Sequence, residues 1–108
     1  MTDSDLYSVN IKYAVIDAAS GDTSIVAAVA GKRIKVVSYV LVPAGALTAR
    51  FESAAGGTAL TGVMSLAANA ELEAGYCPAG HFRTAEGEAL SLELSASTAD
   101  GHLTYILE

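Results

Sequence analysis

Leu90-Ser91-Leu92-Glu93-Leu94-Ser95 decides the fold class: leucine alternates strictly with a polar residue through the whole stretch. Period two is the signature of a half-buried β-strand, because successive side chains leave a strand on opposite faces. Downstream, Leu103, Tyr105 and Leu107 alternate in the same way and predict a closing strand. Upstream, Leu47, Ala49 and Phe51 alternate with Thr48, Arg50 and Glu52, a third strand of the same kind.

Moving outward, Arg33–Val42 is the longest apolar run. Its Ile34, Val36, Val37, Val40 and Val42 are β-branched, which favours strand over helix and predicts the central strand. Pro43-Ala44-Gly45 breaks it. Ile11–Ile16 predicts a first strand ended by the turn chemistry of Ser20-Gly21-Asp22, and Ser24–Ala30 a second that reaches a tight turn at Gly31-Lys32. Shorter strands are expected over Leu60–Leu66, Glu71–Tyr76 and His81–Thr84, separated by Gly56-Gly57, Cys77-Pro78-Ala79-Gly80 and Glu86-Gly87-Glu88. Ala67–Ala70 is too short to stand as a helix. About eight or nine short strands with a turn every ten residues or so predict an all-β antiparallel β-sandwich, jelly-roll-like, since one open sheet of that many strands usually curls or splits.

The 108 residues suit one domain, residues 11–108, preceded by an N-terminal arm, residues 1–10. Asp3, Ser4 and Asp5 make the arm polar, yet Leu6, Tyr7 and Val9 are out of place in a solvated tail and mark it as a candidate docking element. The arm has no apolar run of the kind a secretory signal needs, so synthesis in a cytoplasm is expected.

Composition narrows the function classes. Hydrophobic residues make up 52% and charged residues 17%, and much of the apolar excess is alanine, which adds little burial and permits close approach of faces. The formal net charge is −6, and the only cluster among six basic residues is Lys32, Arg33 and Lys35. A nucleic-acid partner needs a basic face that releases counterions, so none is expected, and an anionic membrane is excluded on the same ground.

Candidate chemistry is thin. Cys77 and His81 are four apart, but zinc requires three or four ligands and only His102 and scattered carboxylates remain, so no metal is assigned. Cys77 and His81 lack the flanking signatures of a cysteine nucleophile. Glu71 with Glu73, and Glu86 with Glu88, read as solvated carboxylates rather than an acid–base pair, and Asp17 with Asp22 as a turn rather than a calcium loop. Gly56-Gly57 and Gly75–Gly80 lack the spacing of a phosphate loop. Tyr7, Tyr13, Tyr39, Tyr76 and Tyr105 are numerous enough to stack sugars or anchor an interface, but assign no site alone. No catalytic residue and no cofactor is expected. A cupin-like metal enzyme would need more histidines than His81 and His102.

The order of Gly31-Lys32-Arg33-Ile34, Ser38-Tyr39-Val40-Leu41-Val42, Met64-Ser65-Leu66-Ala67-Ala68-Asn69, Gly80-His81-Phe82-Arg83-Thr84, Gly87-Glu88-Ala89-Leu90, Leu92-Glu93-Leu94-Ser95 and Gly101-His102-Leu103-Thr104-Tyr105 resembles small β-sandwich virion proteins of tailed bacteriophages. These are capsid decoration or cement proteins and related head- and tail-fibre domains, and the resemblance runs from Ile11 onward. It implies a virion structural protein, a homotrimer bound to the major capsid protein on the outer capsid surface, with the arm touching the capsid through Leu6, Tyr7 and Val9. The alternative within the resemblance is a fibre or spike component that binds host-surface carbohydrate.

Overall fold

A computed structural model describes residues 10–108; the candidate arm residues Leu6, Tyr7 and Val9 lie outside this range. The described chain is all β, with no helix. It forms β1 (Lys12–Val26), β2 (Ile34–Pro43), β3 (Leu47–Ser53), β4 (Thr58–Ala59), β5 (Met64–Leu66), β6 (Leu72–Ala74), β7 (Phe82–Arg83) and β8 (Leu90–Leu107). All eight join one antiparallel sheet.

The sheet is organised around β8, not around the Arg33–Val42 run. β1 pairs with β8 along one edge, from Lys12 opposite Tyr105 to Val26 opposite Leu90. β2 and β3 follow one another along the other edge, Ile34 opposite Leu107 and Ser53 opposite Leu90. The two alternations that open and close the C-terminal third are therefore the two ends of one 18-residue strand. Irregularity without a chain reversal lies between them: Ser97 has a positive φ of 60°, and β8 inserts extra residues where β1 steps from Ala19 to Gly21.

That same step corrects the reading of Ser20-Gly21-Asp22 as the end of a strand. Gly21 has a φ of 90°, a conformation glycine adopts without penalty, and it lies inside the 15-residue β1 at the step where β8 carries extra residues. Ser24–Val26 thus belongs to β1. The turn at Gly31, closed by Lys32 N–H donating to Val29 O at 3.1 Å, leads across to the far side of β8 and does not form a hairpin.

Residues 58–83 return along the free side of β2 and β3. β4 and β5 pair with β3, and β6 and β7 pair with β2. Where this return path ends, consecutive residues join opposite ends of the β2–β3 path. The Ile34 N–H donates to Thr84 Oγ1 at 3.0 Å, and the Ala85 N–H donates to Ser53 Oγ at 2.9 Å. Thr84 and Ala85 therefore bring the start of β2 close to the end of β3. Backbone irregularity is concentrated at Gly21, at the 44–46 bend and at Ser97, and Gly45 lies close to Ser97, where a β-carbon would stand 2.9 Å from Ser97 Oγ and oblige that side chain to turn.

The apolar side chains of β1, β2, β3 and β8 gather in one core. Ile16, Ile34, Val36, Leu41, Phe51, Leu90, Leu92, Leu94 and Leu103 form one buried cluster, and Tyr39 of β2 meets Phe51 of β3 edge-on at 5.3 Å, with Phe82 of β7 5.0 Å beyond. Val36 and Val37 are both fully buried although adjacent, because a bulge between Val36 and Ser38 interrupts the alternation.

Candidate functional site

Two surfaces carry the unusual chemistry. The first is polar. The strand register sets Arg50 of β3 opposite Glu93 of β8, and Glu93 opposite Asp22 of β1. One step along, on the same face, Glu52 lies opposite Ser91 and Ser91 opposite Ser24. Strand periodicity alone puts Arg50 and Glu52 on one face, and antiparallel pairing adds the two other acids.

Glu52 is completely buried, and a buried carboxylate needs partners. Its Oε2 accepts from Arg50 Nη2 at 2.6 Å and its Oε1 from the Gly56 N–H at 3.4 Å. Arg50 Nη2 also lies 3.5 Å from Glu93 Oε1. The carboxylates of Asp22, Glu52 and Glu93 converge within 4.8 Å of one another. Three acids around one guanidinium leave negative charge in excess, and the titration behaviour follows. The Asp22 carboxyl is held above its ordinary value, first by its hydrogen bond to Glu52 and then by desolvation and its negative neighbours. Desolvation pushes Glu52 the other way from its final direction; hydrogen bonds from Asp22, Arg50 and Gly56 outweigh it and leave Glu52 lowered. Arg50 Nε is the one buried side-chain polar atom without a partner among the described residues. The arrangement is an ion-pair network that ties β1, β3 and the 54–57 turn together, with Arg50 supplying the positive charge.

The second surface is apolar. Tyr13 and Val15 lie on the outward side of β1 and are 75% and 67% exposed, and Ile11, just before the strand, is 46% exposed, while Ile16 and Ala18 of the strand are buried. Across the strands, Tyr13 faces Thr104 and Val15 faces His102 on β8; Thr104 and His102 face Ser38 and Val40 on β2. β1 pairs only with β8 among the described residues, so its second edge presents unpaired backbone groups beside the apolar row.

The residues singled out from sequence fall elsewhere. His81 is exposed; its Nε2 pairs with Gly75 O at 2.7 Å and its ring meets Tyr39 edge-on at 5.9 Å, so it organises the 75–80 turn. Cys77 is half-buried, with its N–H donating to Val37 O at 2.8 Å. His102 sits on β8, and no cluster joins it to Cys77 and His81 among the described residues. Glu71 and Glu73 do interact: the Glu71 carboxyl is raised by its hydrogen bond to Glu73. Glu88 accepts from Ser53 Oγ at 2.6 Å, a structural role. Tyr76 is 59% exposed, Tyr39 is buried and Tyr105 is half-buried. No cleft large enough to seat a small molecule opens among the described residues.

Comparison with protein-family models, characterised proteins and solved structures found no match to this chain.

Sequence reasoning missed both surfaces. Ser20-Gly21-Asp22 has the composition of a terminating turn, which hides the register of Asp22 with Glu93. The β-branched and aromatic content of Ile11–Ile16 predicts a strand but does not say which of its faces is covered, so the exposed side of β1 stayed hidden.

Proposed function

We propose that this chain is a structural protein of a tailed-bacteriophage virion, a capsid decoration or cement protein that binds the outer capsid surface and stabilises the shell. In this reading the curled sheet is a jelly-roll-like β-sandwich. The facing of Tyr39 and Phe51 from opposite halves of the sheet supports that architecture. The protein acts as a homotrimer on the major capsid protein, without catalysis or cofactor, and residues 1–10 reach the capsid through Leu6, Tyr7 and Val9.

The observation that carries the reading is the exposed row Ile11, Tyr13 and Val15, which stands where the arm joins the domain. Apolar side chains gathered on an edge strand are a cost to a solitary protein and an asset to one that lives in an assembly. A cement protein must supply binding free energy at each lattice junction. Three arms on one trimer do this multivalently, and avidity exceeds the affinity of one arm by about 10²–10⁴.

Cosedimentation with heads of the phage that carries the gene tests the proposal. The intact chain is expected to pellet with heads to a saturating ratio, and deletion of residues 1–10 to abolish pelleting while the domain keeps its far-ultraviolet β spectrum. Undiminished binding of the truncated chain would remove the role given to the arm; no binding by the intact chain would remove the capsid role.

A second reading, a fibre or spike component that binds carbohydrate, is favoured by one observation, the exposed ring of Tyr76 beside the Gly75 carbonyl that His81 engages. Saturable glycan-array binding that is lost in Tyr76→Ala supports this reading, and uniform silence on the array contradicts it.

A further inference from the structure

We infer that the outward face shared by β1, β8, β2 and β6 docks a short segment of another protein, one that carries lysine or arginine side chains about an apolar centre. The inference goes beyond the proposed function, in which residues 1–10 make the contact, and does not depend on it.

The strand register composes the face. Val15 of β1 lies opposite His102 of β8, His102 opposite Val40 of β2, and Val40 opposite Glu73 of β6. Two residues along, Asp17 lies opposite Asp100 and Asp100 opposite Val42; two residues the other way, Tyr13 lies opposite Thr104 and Thr104 opposite Ser38. Residues two apart on a strand share a side, and the other side of these strands carries the core residues Ile16, Leu41 and Leu103. Tyr13 and Val15 are largely exposed, Val40 is half-buried and Val42 is exposed, so the face has an apolar centre open to solvent. Single exposed apolar residues are ordinary, but a group of them on one sheet face marks a contact site.

Charge identifies the occupant. Asp17 and Asp100 stand directly across from each other, an opposition of like charges that costs a sheet stability. Glu71, one residue before β6, is held above its ordinary range by its hydrogen bond to Glu73. All four acids are exposed, and the three rows contain no lysine or arginine. Among the described residues no ion pair reaches any of the four, for Lys35 and Arg83 pair with Glu108, and Arg50 with Glu52 and Glu93. A second copy brings the same carboxylates, and a nucleic acid or an anionic membrane adds negative charge. A cationic segment relieves the opposition and covers the apolar side chains at once. The dimensions suit a segment rather than a domain. Strands about 4.8 Å apart and a rise of about 3.4 Å per residue set the outermost backbones about 14 Å apart in each direction. That is the length of about four extended residues, and far less than the roughly 800 Å² a standard interface takes from each partner.

The probe is a capped heptapeptide of alternating lysine and valine, titrated into the isotope-labelled full chain and followed by amide resonances, with the alternating glutamate and valine peptide as its counterpart. The lysine peptide is expected to shift Tyr13, Val15, Val40 and His102 saturably, and less at high salt; the glutamate peptide is expected to shift none of them. Asp17→Asn/Asp100→Asn is expected to bind about fivefold more weakly, the modest worth of two exposed ion pairs. Glu86→Gln, at an exposed acid that lies on none of the four strands, is expected to bind as the intact chain does. Without peptide, the double variant is expected to melt above the intact chain, because the cross-strand opposition is gone. A lower melting temperature would show that the two carboxylates serve the fold and would overturn the inference. Equal binding by the double variant and the intact chain, shifts spread over the whole surface, or no shift at all would overturn it too. A chain that takes the peptide on this face and does not pellet with heads keeps the inference and loses the capsid reading.

Discussion

Arg50 and Glu52, two residues apart on β3, are joined by a 2.6 Å ion pair that buries Glu52 completely. Its strength comes from what a lone buried carboxylate would cost, so removing the guanidinium does more harm than the pair does good. Arg50→Met is expected to lower the melting temperature by on the order of 5 °C. Adding Glu52→Gln to Arg50→Met should recover part of the loss, because the neutral amide no longer needs the cation. Additive losses in the double variant would contradict the coupling.

The same cluster makes stability depend on pH through Asp22. Its folded-state carboxyl titrates above the ordinary 3.8, so its protonated form is the one the fold favours. That stabilisation is complete below the ordinary value and is lost as pH rises through the raised one. Glu52, lowered in the fold, contributes in the opposite sense: its share is present above its ordinary 4.5 and is lost as pH falls through its lowered value. Asp22→Asn keeps a donor toward Glu52 and removes the repulsion. It is expected to raise the melting temperature at pH 7 and to lose that advantage below about pH 4. An equal effect at both pH values would contradict the assignment.

Thr84 is buried and ties the return path to the start of β2 by accepting the Ile34 N–H. Thr84→Val conserves shape and leaves that donor without its partner, an expected loss of about 1–3 kcal/mol in denaturant unfolding. A change of a few tenths would mean that the bond does not hold the return path to the start of β2.

Gly101 sits in the middle of β8, opposite Ile16 on one side and Leu41 on the other. A β-carbon there would overlap the Val40 carbonyl oxygen, a backbone atom that cannot move alone. Gly101→Ala is expected to cost about 3 kcal/mol, the upper part of the usual overpacking range, whereas Gly62→Ala, where a β-carbon meets nothing, should be nearly silent. Equal tolerance at the two sites would contradict the close approach of β2 to β8.

The strands were legible wherever every second residue is a large apolar side chain that enters the core. Leu47–Phe51 and Leu90–Leu94 read correctly because their leucine, alanine and phenylalanine side chains turn inward at every second residue. The Leu103–Leu107 alternation is less cleanly divided, for Leu103 is buried while Tyr105 and Leu107 are partly covered. What sequence left hidden was continuity. Glycine and serine signal a turn by their backbone freedom, and Gly21 spends that freedom at a register shift between β1 and β8, without a chain reversal. Ser97 does the same work inside β8, so four expected strands became two long ones. The charged network needed the register of three strands, which no local pattern contains. Leu6, Tyr7 and Val9 remain a sequence argument, and the exposed Tyr13 and Val15 of β1 are what the fold adds.

The central claim is that the protein strengthens an assembled shell, and the thermal release of DNA from phage heads tests it most directly. Heads saturated with the intact chain are expected to release DNA at a higher temperature than bare heads, with the shift rising in step with occupancy and absent for the chain lacking residues 1–10. Heads that bind the intact chain to saturation and still open at the temperature of bare heads would contradict the account.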